Sequence, residues 1–241
     1  VTGLYYSEET PEALQAQVDT LDQIVTHLTV TGPLKGYDNT TFPTDVNEED
    51  LLTISYYDQY DFTNIQSIKP DSAFLQLRGH LTGSLTRVLG SNQWLETVNF
   101  YDNRYRSIKI VADNHKNGKD VIITAYKNQV SPLVTQTTSQ HTSDDYSGTL
   151  TIRENFTYDH MDRLLSQTHQ VNNGPEITLT DNTYNDLGEL TSKQVGNNAQ
   201  QVDYQYNISG WLTSINGGAT ISGGDQFGMQ LDYESAGQFN G

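Results

Sequence analysis

The chain has 241 residues, with 13 Lys and Arg against 30 Asp and Glu and a formal net charge of -17. The clustered cations that neutralise phosphate are missing, which disfavours nucleic acid and anionic membrane surfaces as partners. With no cysteine there is no disulfide framework or thiolate chemistry, and no apolar run approaches the ~20 residues of a membrane-spanning helix. Hydrophobic residues are 34%, yet 15 Tyr and 7 Phe stand among abundant Thr, Ser, Asn and Gln, which argues against disorder and for half-wetted strands.

The amino-terminal stretch VTGLYYSEETPE lacks the basic and then apolar layout of a signal peptide. It reads as the middle of a longer chain, and the ending QFNG is equally abrupt. Next, Leu14, Val18, Leu21, Val25 and Leu28 fall on one stripe at helical spacing. Thr10 suits the cap, Pro11 the first helical position and Glu12 the positive end of the dipole. A helix from about Thr10 to Leu28 is expected, packed on a sheet, because two and a half heptads are too few for a coiled coil. Residues 31–50 gather Gly, Pro, Asn, Asp and Thr and read as a loop, with a solvated acidic cluster at Glu48, Glu49 and Asp50.

From Leu51 onward the pattern is strand after strand. In TIRENFTYD and the Leu before it, Leu150, Ile152, Phe156 and Tyr158 share a face at period two, with Glu154 as a polar exception, and Val202, Tyr204 and Tyr206 do the same in QQVDYQYN. Asn117-Gly118, Asn173-Gly174 and Asn216-Gly217 supply the positive φ angles of tight hairpins. The fold class expected is mostly β, an antiparallel meander of hairpins with one amphipathic helix near its start. Residues 1–50 are expected to form a strand tail, that helix and the acidic loop, and residues 51–241 a repeat-bearing sheet continuous with them.

One phrase recurs. Tyr101-Asp102, Tyr126-Lys127, Tyr158-Asp159, Tyr184-Asn185 and Tyr206-Asn207 return every 22 to 32 residues, and a phrase that recurs encodes a structural unit more readily than a catalytic one. An aromatic strand ends at Tyr, Asp or Asn follows, and Gly188 or Gly210 comes three residues later. Asp or Asn can accept a hydrogen bond from backbone two residues on, and Gly tolerates the left-handed turn position. Asp162 fills that position in one copy; Tyr105 fits it poorly and YKNQVSP has lost both Asp and Gly, so those two turns are expected to be built differently. The tyrosine rings are expected to form a seam along the sheet edge.

These phrases, with LTGSLTRVLGSNQWLETVNFYDNRYRSIKIVADNH, FTYDHMDRLLSQTHQ, YNDLGELTSKQ and YNISGWLTSING, resemble the YD-repeat or Rhs-repeat proteins of bacteria, in the form found in large secreted or surface proteins of Bacteroidetes type. The resemblance covers residues 81–216 well. It implies a spiralling β-sheet that closes into a hollow shell over many more repeats. In such relatives the shell encapsulates a carboxy-terminal toxin, released by a core motif with an aspartate. Neither core motif nor toxin domain is present here, so the implied role is wall material without catalysis or cofactor. The implied partners are other repeats of the same chain, an enclosed toxin or a secretion-system component, at the cell surface or outside it, with no nucleic acid and no membrane insertion.

Other chemistry is thinly signalled. The nucleophile, zinc and phosphate motifs are missing, and the six histidines lack ligand spacing; His160 and His169 flank one hairpin but read as turn and strand polar residues. DNHKNGKD, residues 113–120, has the wrong ligand order for a calcium loop. A glycan-binding adhesive module is the second reading, with Trp94 and Trp211 as stacking candidates, although packing inside the sheet suits Trp211 better. An acidic glycoside hydrolase is the third, but Asp144, Asp145, Glu154 and Glu176 offer too many carboxylates to choose a pair. Sequons stand at Asn39, Asn155 and Asn207.

Overall fold

The computed structural model describes residues 10–19, 34–37, 46–218 and 224–233. Helix α1 spans Pro11–Val18, and the Thr10 hydroxyl accepts from the Ala13 N–H at 3.3 Å as its cap. Asp19 is in a turn, and the remainder of the expected helix, with Leu21, Val25 and Leu28, lies outside the described residues, as does Asn39. A two-residue turn follows at Lys35 (φ 55°) and Gly36 (φ 104°), closing a bridge between Leu34 and Tyr37, and a single 3-10 turn covers Glu48–Asp50.

Among the described residues thirteen strands then follow, hydrogen-bonded in the order of the chain, so the protein is a mostly β, antiparallel meander. They are β1 (Thr53–Tyr57), β2 (Leu81–Arg87), β3 (Trp94–Tyr101), β4 (Ser107–Asp113), β5 (Lys119–Tyr126), β6 (Val134–Ser143) and β7 (Tyr146–Tyr158). After these come β8 (Leu164–Val171), β9 (Ile177–Tyr184), β10 (Leu190–Val195), β11 (Gln200–Tyr206), β12 (Leu212–Ile215) and β13 (Met229–Gln230). The chain divides into two compact units, Val1–Pro132 with Ser139–Leu150, and Leu133–Thr138 with Thr151–Gly241.

The first unit owns a hydrophobic core. Residues 58–80 form no strand, contrary to the expectation of unbroken strands after Leu51, because Pro70 and a run of Asp, Asn, Thr and Ser interrupt any ladder. They pack instead on β3 and β4: Tyr60 and Leu77 are buried with Val98, Phe100 and Val111. Polar bonds fix the cover in place, with the Tyr60 hydroxyl donating to the Asn99 carbonyl at 2.7 Å and Lys109 Nζ to the Ile68 carbonyl at 2.8 Å. Gly83 of β2 is required by this packing, since a Cβ there would lie 2.2 Å from the Phe62 ring.

A smaller cluster joins Tyr37, Ile54 and Tyr56. The Tyr37 hydroxyl donates to the Ser55 carbonyl at 2.5 Å and the Tyr56 hydroxyl to the Lys35 carbonyl at 2.6 Å, a reciprocal pair. Burial pushes the Tyr37 phenol up to about 12 and raises Tyr56 and Tyr60 further, because a desolvated phenolate is disfavoured.

The second unit is built otherwise. Among its described residues the buried side chains are Thr180, Ser214 and Asn216, and no hydrophobic side chain is fully buried. Strand β11 alternates, with Val202, Tyr204 and Tyr206 half-buried and Gln201, Asp203 and Gln205 exposed. Polar ladders cross the strands: Gln136 Nε2 donates to Asn155 Oδ1 at 2.7 Å, and Thr137 Oγ1 to Glu154 at 3.2 Å, as does Gln167 Nε2.

The Asn-Gly steps divide. Asn216 (φ 50°) and Gly217 (φ 74°) both turn left-handed in a turn that the Gly218 N–H closes on the Ile215 carbonyl at 3.2 Å, but the next strand begins only at Met229, so this step does not make the tight hairpin expected of it. At Asn117 only the Asn has positive φ (57°), and in the β8–β9 turn it is Asn172 (φ 52°), one residue earlier, that does so. In those two hairpins the glycine is not the residue that takes the strained position.

Candidate functional site

Every phrase tyrosine ends a strand, and its hydroxyl donates to the carbonyl of the residue that opens the partner strand. Tyr101 reaches Leu81 at 2.8 Å and Tyr126 reaches Ser107 at 2.9 Å. In the second unit Tyr158 reaches Val134 at 2.8 Å, Tyr184 reaches Leu164 at 2.9 Å, and Tyr206 reaches Leu190 at 3.0 Å. A sixth tyrosine, Tyr233, three residues past the end of β13, makes the equivalent bond to Leu212 at 2.9 Å. The bond gives the carbonyl at a strand opening a hydrogen-bond donor from a side chain of the next strand, and at Leu81 and Leu164 an Asn side chain donates as well. Burial raises the phenols of Tyr101, Tyr126 and Tyr206, which keeps them protonated and able to donate.

The residue after the tyrosine organises the next turn. Asp102 Oδ1 accepts the N–H groups of Arg104 (2.8 Å) and Arg106 (3.0 Å), while the Asp102 N–H donates to the Arg106 carbonyl and the Tyr105 N–H to the Asp102 carbonyl. Asp159 repeats this set with Met161 and Arg163, Asn185 with Leu187 and Glu189, and Asn207 with Ser209 and Trp211. The left-handed position is held by Tyr105 (φ 61°), Asp162 (φ 64°), Gly188 (φ 89°) and Gly210 (φ 75°). Tyr105 therefore corrects the expectation of a different turn there. Its ring stacks on His80 at 4.4 Å and meets Phe74 edge-on at 5.9 Å, contacts that offset the strain. The turn after Tyr126 does differ: Asn128 Oδ1 takes the N–H groups of Val130 and Ser131.

Sequence reasoning missed the fourth residue after the Asp or Asn. Arg106 pairs with Asp102 and lies over the Tyr126 ring at 4.2 Å; Arg163 pairs with Asp159 and lies over Tyr184 at 4.5 Å. Glu189 accepts from Asn185 Nδ2 at 2.6 Å, and its charge helps raise Tyr206. Trp211 meets the Tyr233 ring at 5.1 Å. In each case this residue joins its own turn to the tyrosine of the next hairpin. A Cβ at Gly188 would lie 3.1 Å from Arg163 Nη1, and one at Gly210 3.3 Å from Glu189 Oε1, so successive turns sit against each other. The spacing itself was the available signal, as was Tyr233-to-Gly237, which equals that of Tyr184-to-Gly188 and Tyr206-to-Gly210.

The arrangement ties groups down. Burial alone raises the Asp102 carboxyl, yet the Arg106 side chain and the N–H groups of Arg106 and Arg104 hold it below the usual range. Asp159 is lowered in the same way, with Arg163 and Met161 as donors. Arg106 is also bonded to the Asn128 and Ser131 carbonyls.

The candidates for other chemistry are dispersed. Asp145 pairs with Lys116, Asp144 accepts from Asn117, and Asp113 pairs with Lys119, so the carboxylates around residues 113–120 are engaged with neighbouring side chains. Glu176 accepts from Asn155, whereas Glu154 contacts the opposite-face residues Thr137 and Gln167; successive strand residues point to opposite faces, so the two carboxylates share no cleft. Trp94 packs beside the Tyr37 cluster. Trp211, expected inside the packing, is 54% exposed and tilted 54° to Tyr233, so the two rings do not form one flat platform. Among the described residues no group of three or more His, Asp or Glu could hold a metal ion. No protein-family model matches the chain, and no curated protein matches it in sequence.

Proposed function

We propose that the chain is a non-catalytic structural segment of a YD-repeat shell, part of a large secreted or surface-bound bacterial protein, whose hairpins wall in or display a cargo such as a toxin. The observation that carries this reading is the recurrence of one bond, from a tyrosine hydroxyl to the opening carbonyl of the partner strand, at five strand ends and once more from Tyr233 just past β13. A binding or catalytic site needs its groups once and converging; here the same groups return along the chain, each set spent on its own turn. The Arg106, Arg163, Glu189 and Trp211 contacts support it, since they make each hairpin depend on the next.

Electron cryomicroscopy of the full-length protein that contains this chain tests the proposal. The expected result is a wall of successive hairpins around a lumen, with polypeptide inside that resists added protease. A solid, isolated module with no lumen would overturn it, as would saturable binding on a glycan array that Trp211→Ala abolishes.

A further inference from the structure

The geometry points to Asn173 as a site of spontaneous deamidation and isoaspartate formation, and to the fold as the reason the other described Asn-Gly steps resist it. The sequence has four such steps, at Asn117, Asn173, Asn216 and Asn240, and the first three lie within the described residues. Chemically they are alike: glycine lacks a Cβ to hinder approach of its own nitrogen to the preceding side-chain carbonyl. What differs is how each amide is held.

Asn216 is 7% exposed, and its side chain is held at both ends. Its Oδ1 accepts the Asp203 N–H at 2.8 Å and its Nδ2 donates to the Phe227 carbonyl at 2.7 Å. Asn117 is exposed, but its Nδ2 donates to Asp144 at 2.8 Å, which holds the amide in place. Asn173 is exposed at the tip of the β8–β9 turn. Its neighbour Asn172 is the one engaged, accepting the Thr151 N–H at 2.8 Å, while the Asn173 amide makes no hydrogen bond within the described residues. The attacking N–H does not separate the two exposed sites, since Gly118 donates to Asn114 Oδ1 and Gly174 to the Val171 carbonyl, both at 3.0 Å; the hold on the Asn side chain does.

The reaction needs only water and a base. The Gly174 nitrogen gives up its proton to solvent base and attacks Asn173 Cγ; the Cγ–Nδ2 bond breaks and ammonia leaves, closing a five-membered imide. Water then adds to either imide carbonyl and cleaves one C–N bond, giving aspartate or isoaspartate. The product carries a new carboxylate three residues from Glu176, in a hairpin that would gain a backbone methylene in the isoaspartate form.

The test is peptide mapping by mass spectrometry after incubation of the folded protein in mildly alkaline buffer, with an isoaspartate methyltransferase assay alongside. The expected result is the amide-to-acid mass shift at Asn173 well before Asn117 or Asn216, its loss in Asn173→Gln, and comparable conversion of all three sites in urea. Conversion of Asn117 or Asn216 as fast as Asn173 in the folded protein would overturn the inference, and so would an Asn173 that stays intact while the urea-treated chain converts.

Discussion

The two units reach a stable sheet by different means. In the first, a strandless cover over residues 58–80 buries aromatic and branched side chains against one face; in the second, no hydrophobic side chain among the described residues is fully buried, and strand-end tyrosines, Asx turns and polar ladders connect the hairpins. The same tyrosine joint occurs in both, so it is not what distinguishes them. Presence of a cover is. The comparison teaches that the joint sets the path of the chain from hairpin to hairpin, while burial, which scales with apolar area removed from water, supplies most of the free energy where a cover exists.

Truncation in each unit sharpens that contrast most. Phe100 is 0% exposed, and Phe100→Ala is expected to cost about 3–5 kcal/mol. Tyr204, half-buried on β11, is expected to lose about 1–2 kcal/mol as alanine, because only part of its ring leaves water on folding. The chain has two tryptophans, Trp94 in the first unit and Trp211 in the second. Urea unfolding of single-tryptophan versions therefore reads each unit separately. Equal losses in both would break the comparison.

Alkali is a second lever, and its sign follows from the phenols. Tyr37, Tyr56 and Tyr60 have folded-state values above the usual 10, so the folded form favours the protonated state. The stability this contributes is whole below pH 10 and is lost as the pH climbs from about 10 toward 12 and beyond, where the unfolded chain ionises and the folded one resists. The first unit holds all three of these, and the second holds the more modestly buried Tyr206. Circular dichroism and tyrosinate absorbance followed from pH 9 upward should show the first unit losing more stability than the second; a loss confined to the second would contradict it.

How much of this was legible in the sequence depends on whether the signal was local. The strand alternation and the Tyr-Asx phrases were readable, because the pleat and the turn are written in neighbouring residues. The cover over residues 58–80 was not: LLTISYYDQYDF is as β-rich as any strand, and only distant partners such as Val98 and Phe100 decide that Tyr60 leaves the ladder to pack over the sheet. Gly83 likewise looks like a weak point in a strand until Phe62 is seen lying across it. Arg106, Arg163, Glu189 and Trp211 share a position and not a chemistry, so no residue-type motif could reveal them. Asn172 took the turn that Asn173-Gly174 advertised, a choice among adjacent residues that both tolerate positive φ.

A finer test asks whether the joint's hydroxyl matters on its own. Leu164 O accepts from Asn182 Nδ2 at 3.0 Å as well as from Tyr184, whereas Tyr206 is the side-chain donor to Leu190. Removing a donor costs most where the acceptor is left without another, so Tyr206→Phe is expected to cost about 1–1.5 kcal/mol and Tyr184→Phe about 0.5 kcal/mol. Urea midpoints read through Trp211 would show the order, and the reverse order would mean that ring packing sets the energy of the joint.

Position 105 separates strain from contact at one residue. Tyr105 takes the left-handed position that Gly188 and Gly210 hold in the equivalent turns, a conformation costing a bulky residue about 1–2 kcal/mol. Against this stand the His80 and Phe74 ring contacts, worth about 0.5–1.5 kcal/mol each. Tyr105→Ala keeps the strain and loses the contacts, while Tyr105→Gly loses the contacts and releases the strain. Both variants are therefore expected to be less stable than the parent, the glycine one by less, with a gap between them of about 1 kcal/mol. At Gly188, where φ is 89° and no ring contact exists to be lost, alanine should only destabilise. An alanine variant at position 105 as stable as the glycine one would show that the turn carries no strain there, and that the tyrosine is held by its neighbours without opposition from its own backbone.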